Sequence, residues 1–386
     1  MIFINIMIVK FFSKNNNFII KIKYRLFILI FFFSFYLFKK EINDLEKYFK
    51  LCDNKLLLKK KIFKKTIRPA ISIISPIYNK EKYILRFLRS IQNQNFVNIE
   101  IIFVDDCSKD NSTKIIENYQ KEDERILLIK NKKNKGTFIS RNEGALKSKG
   151  EYLIFADSDD LLINNILRYS YKIAKNGNYD IVRYNGYIGN GNIILYNIIK
   201  NIQNNQVYQP ELSLYIYYGI GNFTQNDFFI WNKIIKRNIF ISSLNEIDKY
   251  YLNQFMIDCE DGLMNLILHK KANSFYYTKK IGYYYIKNEQ SITIYSNNNL
   301  IKRLKSNFLY FKFIFQYTKN NKIEKTIAEN IFLSVYYYIY KKKMIHCLKF
   351  LIKKNKIYKD VIHMYLNSKF ISLKTKKIFK KFQLLL

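Results

Sequence analysis

Three carboxylates fall within four residues at Asp157, Asp159 and Asp160, directly behind the apolar run of residues 152–156 in YLIFADSDD. Asp157 and Asp159, one residue apart, can aim oxygens at a single point in a turn. That arrangement suits a hard divalent cation such as Mg²⁺ or Mn²⁺ holding a diphosphate. The plain alternative is a solvated acidic turn. A second pair, Asp105 and Asp106 in DDCSKDNST, also follows an apolar run and can accept hydrogen bonds from a base N–H or a ribose hydroxyl. Ser112 or Thr113 is placed to cap the helix that follows. In SPIYNKE, Pro76 is expected to stop a strand and leave Tyr78 and Asn79 at its mouth, where an aromatic face can stack on a base. NKKNKGTFISRNEGA offers Gly136 for a tight turn and Arg141 as a fixed cation for phosphate or carboxylate. Further on, Glu260 and Asp261 precede an apolar series at helical spacing (Leu263, Leu266, Ile267), which by itself reads Asp261 as a helix-start carboxylate favoured by the macrodipole.

The elements that must position these groups are legible in the same stretch. Short apolar runs at residues 71–74, 101–104, 126–129 and 152–156 read as buried parallel strands. Between them Ile84, Phe87, Leu88 and Ile91 share one helical face, as do Ile115, Ile116 and Tyr119. Strand, helix, strand at about 30 residues per unit is the βαβ pattern of an α/β sheet. Ligands of such sheets lie beyond the carboxyl ends of the strands, where all four candidate loops sit.

Composition narrows the function classes. The formal net charge of +36 suggests a polyanion partner, yet only ten of the 66 basic residues are Arg, the fork that nucleic-acid surfaces favour. The excess is also local: residues 301–386 hold 21 Lys+Arg against 3 Asp+Glu, a balance of +18, whereas residues 100–160 hold 11 against 13, a balance of −2. Nucleic acid is therefore not the expected partner. Four cysteines without CxxC spacing and three scattered histidines argue against a zinc site or a disulfide scaffold.

Flanking regions point to a membrane. Thirteen uncharged residues, 26–38 (LFILIFFFSFYLF), fall short of the roughly 20 needed to span hydrocarbon, and residues 18–38 reach that length if Lys21, Lys23 and Arg25 snorkel. A single-pass anchor is the expectation, with a cleaved signal peptide or an interfacial helix as alternatives. Residues 39–68 form a Lys-rich connector. From residue 301 onward Lys alternates with aromatic and aliphatic residues as basic amphipathic helices, either a helical cap with a solvated Lys face or a surface drawn to anionic lipid.

Taken in order, ISIISPIYNKEKYI, IEIIFVDDCSKDNST, NKGTFISRNEGA and GEYLIFADSDD closely resemble the nucleotide-binding half of the family-two glycosyltransferases. FIWNKIIKRNIF and CEDGLMNLILHKKANSFYYTKKIGYYYIKNEQSIT resemble that family's acceptor-side segments, so the likeness runs over about residues 70–295. It implies a GT-A fold, an α/β Rossmann-like mixed sheet flanked by helices, here with an N-terminal hydrophobic helix and a C-terminal helical extension. The implied organisation is residues 1–68 as hydrophobic segment and connector, 69–295 as catalytic domain (69–160 nucleotide-binding half, 161–295 acceptor half) and 296–386 as basic helical region. The implied activity is inverting, metal-assisted transfer from a nucleotide-diphospho-sugar to a glycan or lipid-linked acceptor at a membrane. A non-catalytic membrane-bound binding subunit and a nucleotidyltransferase-like enzyme are the alternatives. Carried over by residue, the resemblance implies that Pro76, Tyr78 and Glu81 shape the nucleotide pocket and that Asp105 and Asp106 contact base and ribose. It likewise implies that Arg141 and Glu260 belong to the substrate site, that Asp157 sits by ribose or metal, that Asp159 ligates Mn²⁺ or Mg²⁺, and that Asp261 is the general base. Two positions depart from the pattern: Cys107 replaces a usual Gly, and Lys287 stands near where many relatives carry an Arg for the diphosphate.

Overall fold

The computed structural model describes residues 43–44, 47–48, 50–52, 63–189, 194–197, 206–208, 229–256 and 259–287, and residues 306–307, 309–310, 312–314 and 316–317. The chain divides into two units, residues 1–57 and 58–386. In the first, the described residues between Asn43 and Cys52 are helical. The expected hydrophobic helix near 18–38 lies outside the described residues; among those described, no helix is long and apolar enough to cross a membrane.

The second unit is built on a mixed sheet. Strands β1 (Ile71–Ile77), β2 (Ile99–Asp105), β3 (Ile126–Lys130) and β4 (Tyr152–Phe155) alternate with helices α1 (Ile84–Gln92), α2 (Ser112–Gln120) and α3 (Thr137–Lys147). The four expected apolar runs are these four strands, mutually parallel in the order β3-β2-β1-β4. Ile71, Ile73 and Ile74 of β1, like residues 101–104 of β2, are buried, as expected for strands covered on both faces. The expected faces of the first two helices also hold: Ile84, Phe87, Leu88 and Ile91 are buried in α1, and Ile116 is buried in α2 with Ile115 and Tyr119 packed partly against the core.

The chain then continues through β5 (Leu161–Leu162), α4 (Ile166–Asn176), β6 (Ile181–Gly189), β7 (Ile194–Asn197), β8 (Gln206–Tyr208), β9 (Lys233–Lys236), α5 (Arg237–Leu244), α6 (Lys249–Leu252), α7 (Glu260–Lys271) and β10 (Phe275–Ile286). β9 adds antiparallel to β4, β6 antiparallel to β9, and β10 parallel to β6, so one sheet joins both halves. From the described part of the C-terminal region, Leu309, Tyr310, Phe313 and Ile314 enter the same core, with Phe313 edge-on to Tyr251 at 5.2 Å.

Two local expectations need correction. Pro76 does not end β1, which runs on to Ile77 with Pro76 opposite Val104. β4 pairs only as far as Ile74, so the missing proline N–H faces a side where the ladder has already stopped. Its carbonyl is used instead, accepting from Ser158 Oγ at 3.2 Å. Nor do Ser112 and Thr113 cap α2, whose N-cap residue is Asn111 with no side-chain cap bond. Ser112 Oγ accepts from the Lys80 amide at 2.7 Å and donates to Asp110.

Candidate active site

The chain lays down β1, β2 and β3 in one direction and then returns to the far side of β1 for β4. The crevice beyond β1 and β4 is therefore a topological switch point, the place where α/β sheets bind ligands. SPIYNKE leaves β1 there and ADSDD leaves β4 there. The loop after β1 is tied to the loop after β2 by reciprocal bonds. Asn79 N donates to Ser108 Oγ at 3.0 Å, Lys109 N to Asn79 Oδ1 at 2.8 Å, and Glu81 N to Asp110 Oδ2 at 2.9 Å. Glu81 accepts from Asn111 N at 3.1 Å and Asn111 Nδ2 at 3.0 Å, so its carboxylate locks two nucleotide-side loops together. The Tyr78 ring stays 41% exposed at the mouth, available to stack.

Asp105 and Asp106 are both buried. Asp105 accepts from Ser108 N at 3.3 Å, whereas Asp106 takes Lys135 N at 2.8 Å and Asn131 Nδ2 at 3.1 Å on one oxygen and Gly136 N at 2.7 Å on the other. Asp106 thus builds the turn before α3, where Gly136 has φ 91° and any Cβ would press on Met256 O at 3.2 Å. Cys107, at the position of the usual Gly, does adopt a left-handed φ of 66°.

Arg141 is the hub. Its Nη2 donates to Asp157 Oδ1 at 2.7 Å, its Nη1 donates to Asp261 Oδ1, and Glu260 Oε1 lies 3.5 Å from the same nitrogen. Of the two partners expected for this cation, phosphate or carboxylate, the structure supplies carboxylates. Asp261 also accepts from Ile230 N at 3.2 Å through Oδ2. Burial pushes the Asp261 carboxyl above its ordinary range and nearby Asp157 adds to this, while the Arg141 guanidinium pulls the other way without cancelling it. Burial would depress Arg141, but Asp261, Asp157 and Glu260 outweigh it and hold the guanidinium charged.

Asp159 meets Lys80, whose Nζ stands 2.5 Å from Oδ2. Burial lowers the affinity of Lys80 for its proton, and Asp159 together with Asp157 and Asp160 more than restores it. Asp160, 1% exposed, faces inward, accepting from Tyr283 OH at 2.8 Å and Ile286 N at 2.8 Å. Among the described residues there is no group of three or more His, Cys, Asp or Glu that could hold a metal alone. The donor set still fits a cation of the Mg²⁺ type, which takes one or two carboxylates and fills its remaining positions from phosphate oxygens and water. The Lys80 ammonium at Asp159 shows that this carboxylate accepts a positive charge.

Sequence reasoning missed Lys80 and Tyr283. Lys80 neighbours the Tyr78–Asn79 pair already singled out, but nothing in the sequence ties it to Asp159 across 79 residues. Trp231 is 2% exposed and stacked on Tyr283 at 4.4 Å. Tyr283, Tyr284 and Tyr285 lie in strand β10, and Lys287 follows at its end, its amide donating to Gly189 O.

Residues 72–239 match the family model described as Glycosyl transferase family 2, a span that runs from within β1 through β9 and contains every candidate loop of the nucleotide half. Over those residues the chain is similar to glycosyl transferase family 2. An uncharacterized glycosyltransferase of Haemophilus influenzae is 39% identical over 118 residues, covering 29% of this chain and 47% of the relative. The GalNAc(5)-diNAcBac-PP-undecaprenol beta-1,3-glucosyltransferase of Campylobacter jejuni is 37% identical over 100 residues, 26% of this chain and 32% of the relative. The chain thus spans less than half the length of these relatives. In fold, the glycosyltransferase domain and its surroundings resemble the structure of S. aureus TarS 1–349 in complex with UDP-GlcNAc. That likeness has a TM-score of 0.56 at 19% identity and covers 82% of this chain and 87% of that one.

Proposed function

We propose that the protein transfers a sugar from a nucleotide-diphospho-sugar to a hydroxyl of a glycan or lipid-linked acceptor, with inversion at the anomeric carbon. The observation that carries this reading is the Arg141 hub, which joins Asp157 of the donor-side loop to Asp261 at the start of α7 on the acceptor side. Two carboxylates with different tasks are thereby held at one crevice. Asp261 takes the proton of the acceptor hydroxyl as its oxygen attacks the anomeric carbon, and the bond from that carbon to the diphosphate breaks, releasing the nucleoside diphosphate. Each Asp261 oxygen already accepts one bond and retains a lone pair for that proton.

On the donor side Tyr78 stacks on the base and Asp105 meets the base or ribose, while Glu81 and Asp106 hold the loops that carry them. Asp159, with Asp157, is the seat for Mn²⁺ or Mg²⁺, which when bound offsets the charge growing on the leaving diphosphate. Lys80 and Arg141 add fixed positive charge to the same crevice. The likeness to an undecaprenol-linked glucosyltransferase supports a lipid-linked acceptor, and the apolar run at residues 26–38 supports an N-terminal membrane anchor. A cytosol-facing domain fits best: Asn111 heads an Asn-Ser-Thr sequon, and a glycan on its Nδ2, which bonds Glu81, would crowd the two nucleotide-side loops.

The test is transfer and donor hydrolysis by Asp261→Asn and Asp159→Asn across a panel of nucleotide sugars, with the product's anomeric configuration read by NMR. Loss of transfer of about 10²- to 10⁴-fold in Asp261→Asn with donor binding retained is the expected result. Unchanged turnover in both variants sinks the assignment of these two carboxylates, whereas absence of turnover by the wild type with every donor favours a binding subunit.

A further inference from the structure

We infer that Tyr283 is the positioning residue of the acidic loop, setting through its hydroxyl the conformation in which Asp157 and Asp159 meet the donor diphosphate. The inference rests on the proposed donor site and adds a residue on β10, 126 positions from Asp157 in sequence.

The phenol sits between the two ends of the loop. Asp157 N donates to Tyr283 OH at 2.9 Å, and Tyr283 OH donates to Asp160 Oδ2 at 2.8 Å. Asp160 N in turn donates to Asp157 O at 3.1 Å, and Ile286 N holds the other Asp160 oxygen. Four bonds therefore close around residues 157–160 and leave Asp159 at the tip. Ser158 is kept inside by its bond to Pro76 O. A backbone bond alone would close such a turn; here a fully buried tyrosine and a buried carboxylate are added, a costly pair to desolvate unless the loop geometry itself matters.

β10 is built to deliver this hydroxyl. Its register against β6 shifts between Ile281 and Tyr283, and irregularities of this kind re-aim side chains. Gly282 allows the shift to pack, since a Cβ there would stand 2.4 Å from Ile166 Cγ1 and 2.5 Å from Tyr184 Cδ2. The ring is then fixed by Trp231, stacked at 22°. Tyr283 is accordingly a lever between the acceptor-side strand and the donor-side loop.

Tyr283→Phe deletes the hydroxyl and keeps the stack. Tyr152→Phe is the matched control, a buried tyrosine whose OH donates to Ala174 O at 3.1 Å at the start of β4, away from the loop. UDP, GDP and TDP, each with Mn²⁺, are titrated into the full chain by calorimetry, and the best binder is carried through the variants. Tyr283→Phe is expected to lose about 10- to 100-fold in affinity and to raise the donor KM more than it lowers kcat, while Tyr152→Phe lowers Tm without changing affinity. 4-Aminophenylalanine at 283 returns a donor to the same ring and is expected to recover part of the affinity even if the Phe variant folds poorly. Wild-type affinity in a folded Tyr283→Phe, or no recovery with the amine, reduces Tyr283 to a core tyrosine while leaving the donor site standing. Failure of the wild type to bind any of the diphosphates overturns the donor site itself.

Discussion

At the scale of single residues, the site separates carboxylates by their surroundings. Burial chiefly raises the carboxyl of Asp261 above its ordinary value, and the base role proposed for it requires the ionised form. On that proposal activity is expected to be absent well below the raised value, to rise with pH as Asp261 loses its proton, and to level off above it. A kcat/KM profile should place this acid limb above the ordinary aspartate value of about 3.9, and Arg141→Met should move the limb further up because the opposing cation is gone. Cys107 carries a different kind of cost. A side chain at a left-handed φ of 66° is disfavoured by about 1–2 kcal/mol, partly balanced by the chain entropy glycine loses on folding. Cys107→Gly should therefore stabilise the fold by about 1 kcal/mol, read as a rise in urea midpoint at unchanged slope.

At the scale of elements, α3 is what carries Arg141 to its partners. Arg141, Gly144 and Ala145 share the buried face of this helix, and Gly144 lets the helix lie hard against the sheet. A Cβ at 144 would stand 2.6 Å from Ile74 Cγ2 and 3.2 Å from Val104 Cγ2. The added methyl of Gly144→Ala must push α3 outward, and Arg141 loses reach to Asp157 and Asp261 together. We expect a destabilisation of about 1–3 kcal/mol from overpacking and, measured separately, weaker donor binding by calorimetry. The glycine of RNEGA is thus an active-site device acting through helix placement.

At the scale of the whole molecule, the folded unit does not end where the family-like sequence ends. Leu309, Tyr310, Phe313 and Ile314 lie in its core, Cys259 Sγ at the start of α7 is 3.0 Å from Asn307 Oδ1, and Tyr317 OH donates to Glu246 at 2.7 Å. The helix that begins with Glu260 and Asp261 is therefore buttressed from beyond residue 300. Phe313→Ala should cost about 3–5 kcal/mol of stability by denaturant titration, whereas an exposed-lysine substitution in the same region should cost little. The apolar side of this short described segment packs inward, as a helical cap requires.

The sequence by itself determined the strand–helix alternation, the parallel nucleotide half and the placement of acidic loops at strand ends, because buried parallel strands need apolar runs and their ends need polar turns. It also marked Asp157 and Asp159 as candidates, as carboxylates directly behind an apolar run, and Asp261 through the family resemblance of its segment. What only the tertiary structure decided is which of these groups touch. That Arg141 binds two carboxylates, that Lys80 lies on Asp159, that Asp106 and Glu81 fasten loops, and that a strand tyrosine closes the acidic turn all depend on contacts across 16 to 126 residues. Local propensity acts over a few residues and carries no record of such partners; they are set by the order in which strands join the sheet and by how closely the helices pack on it.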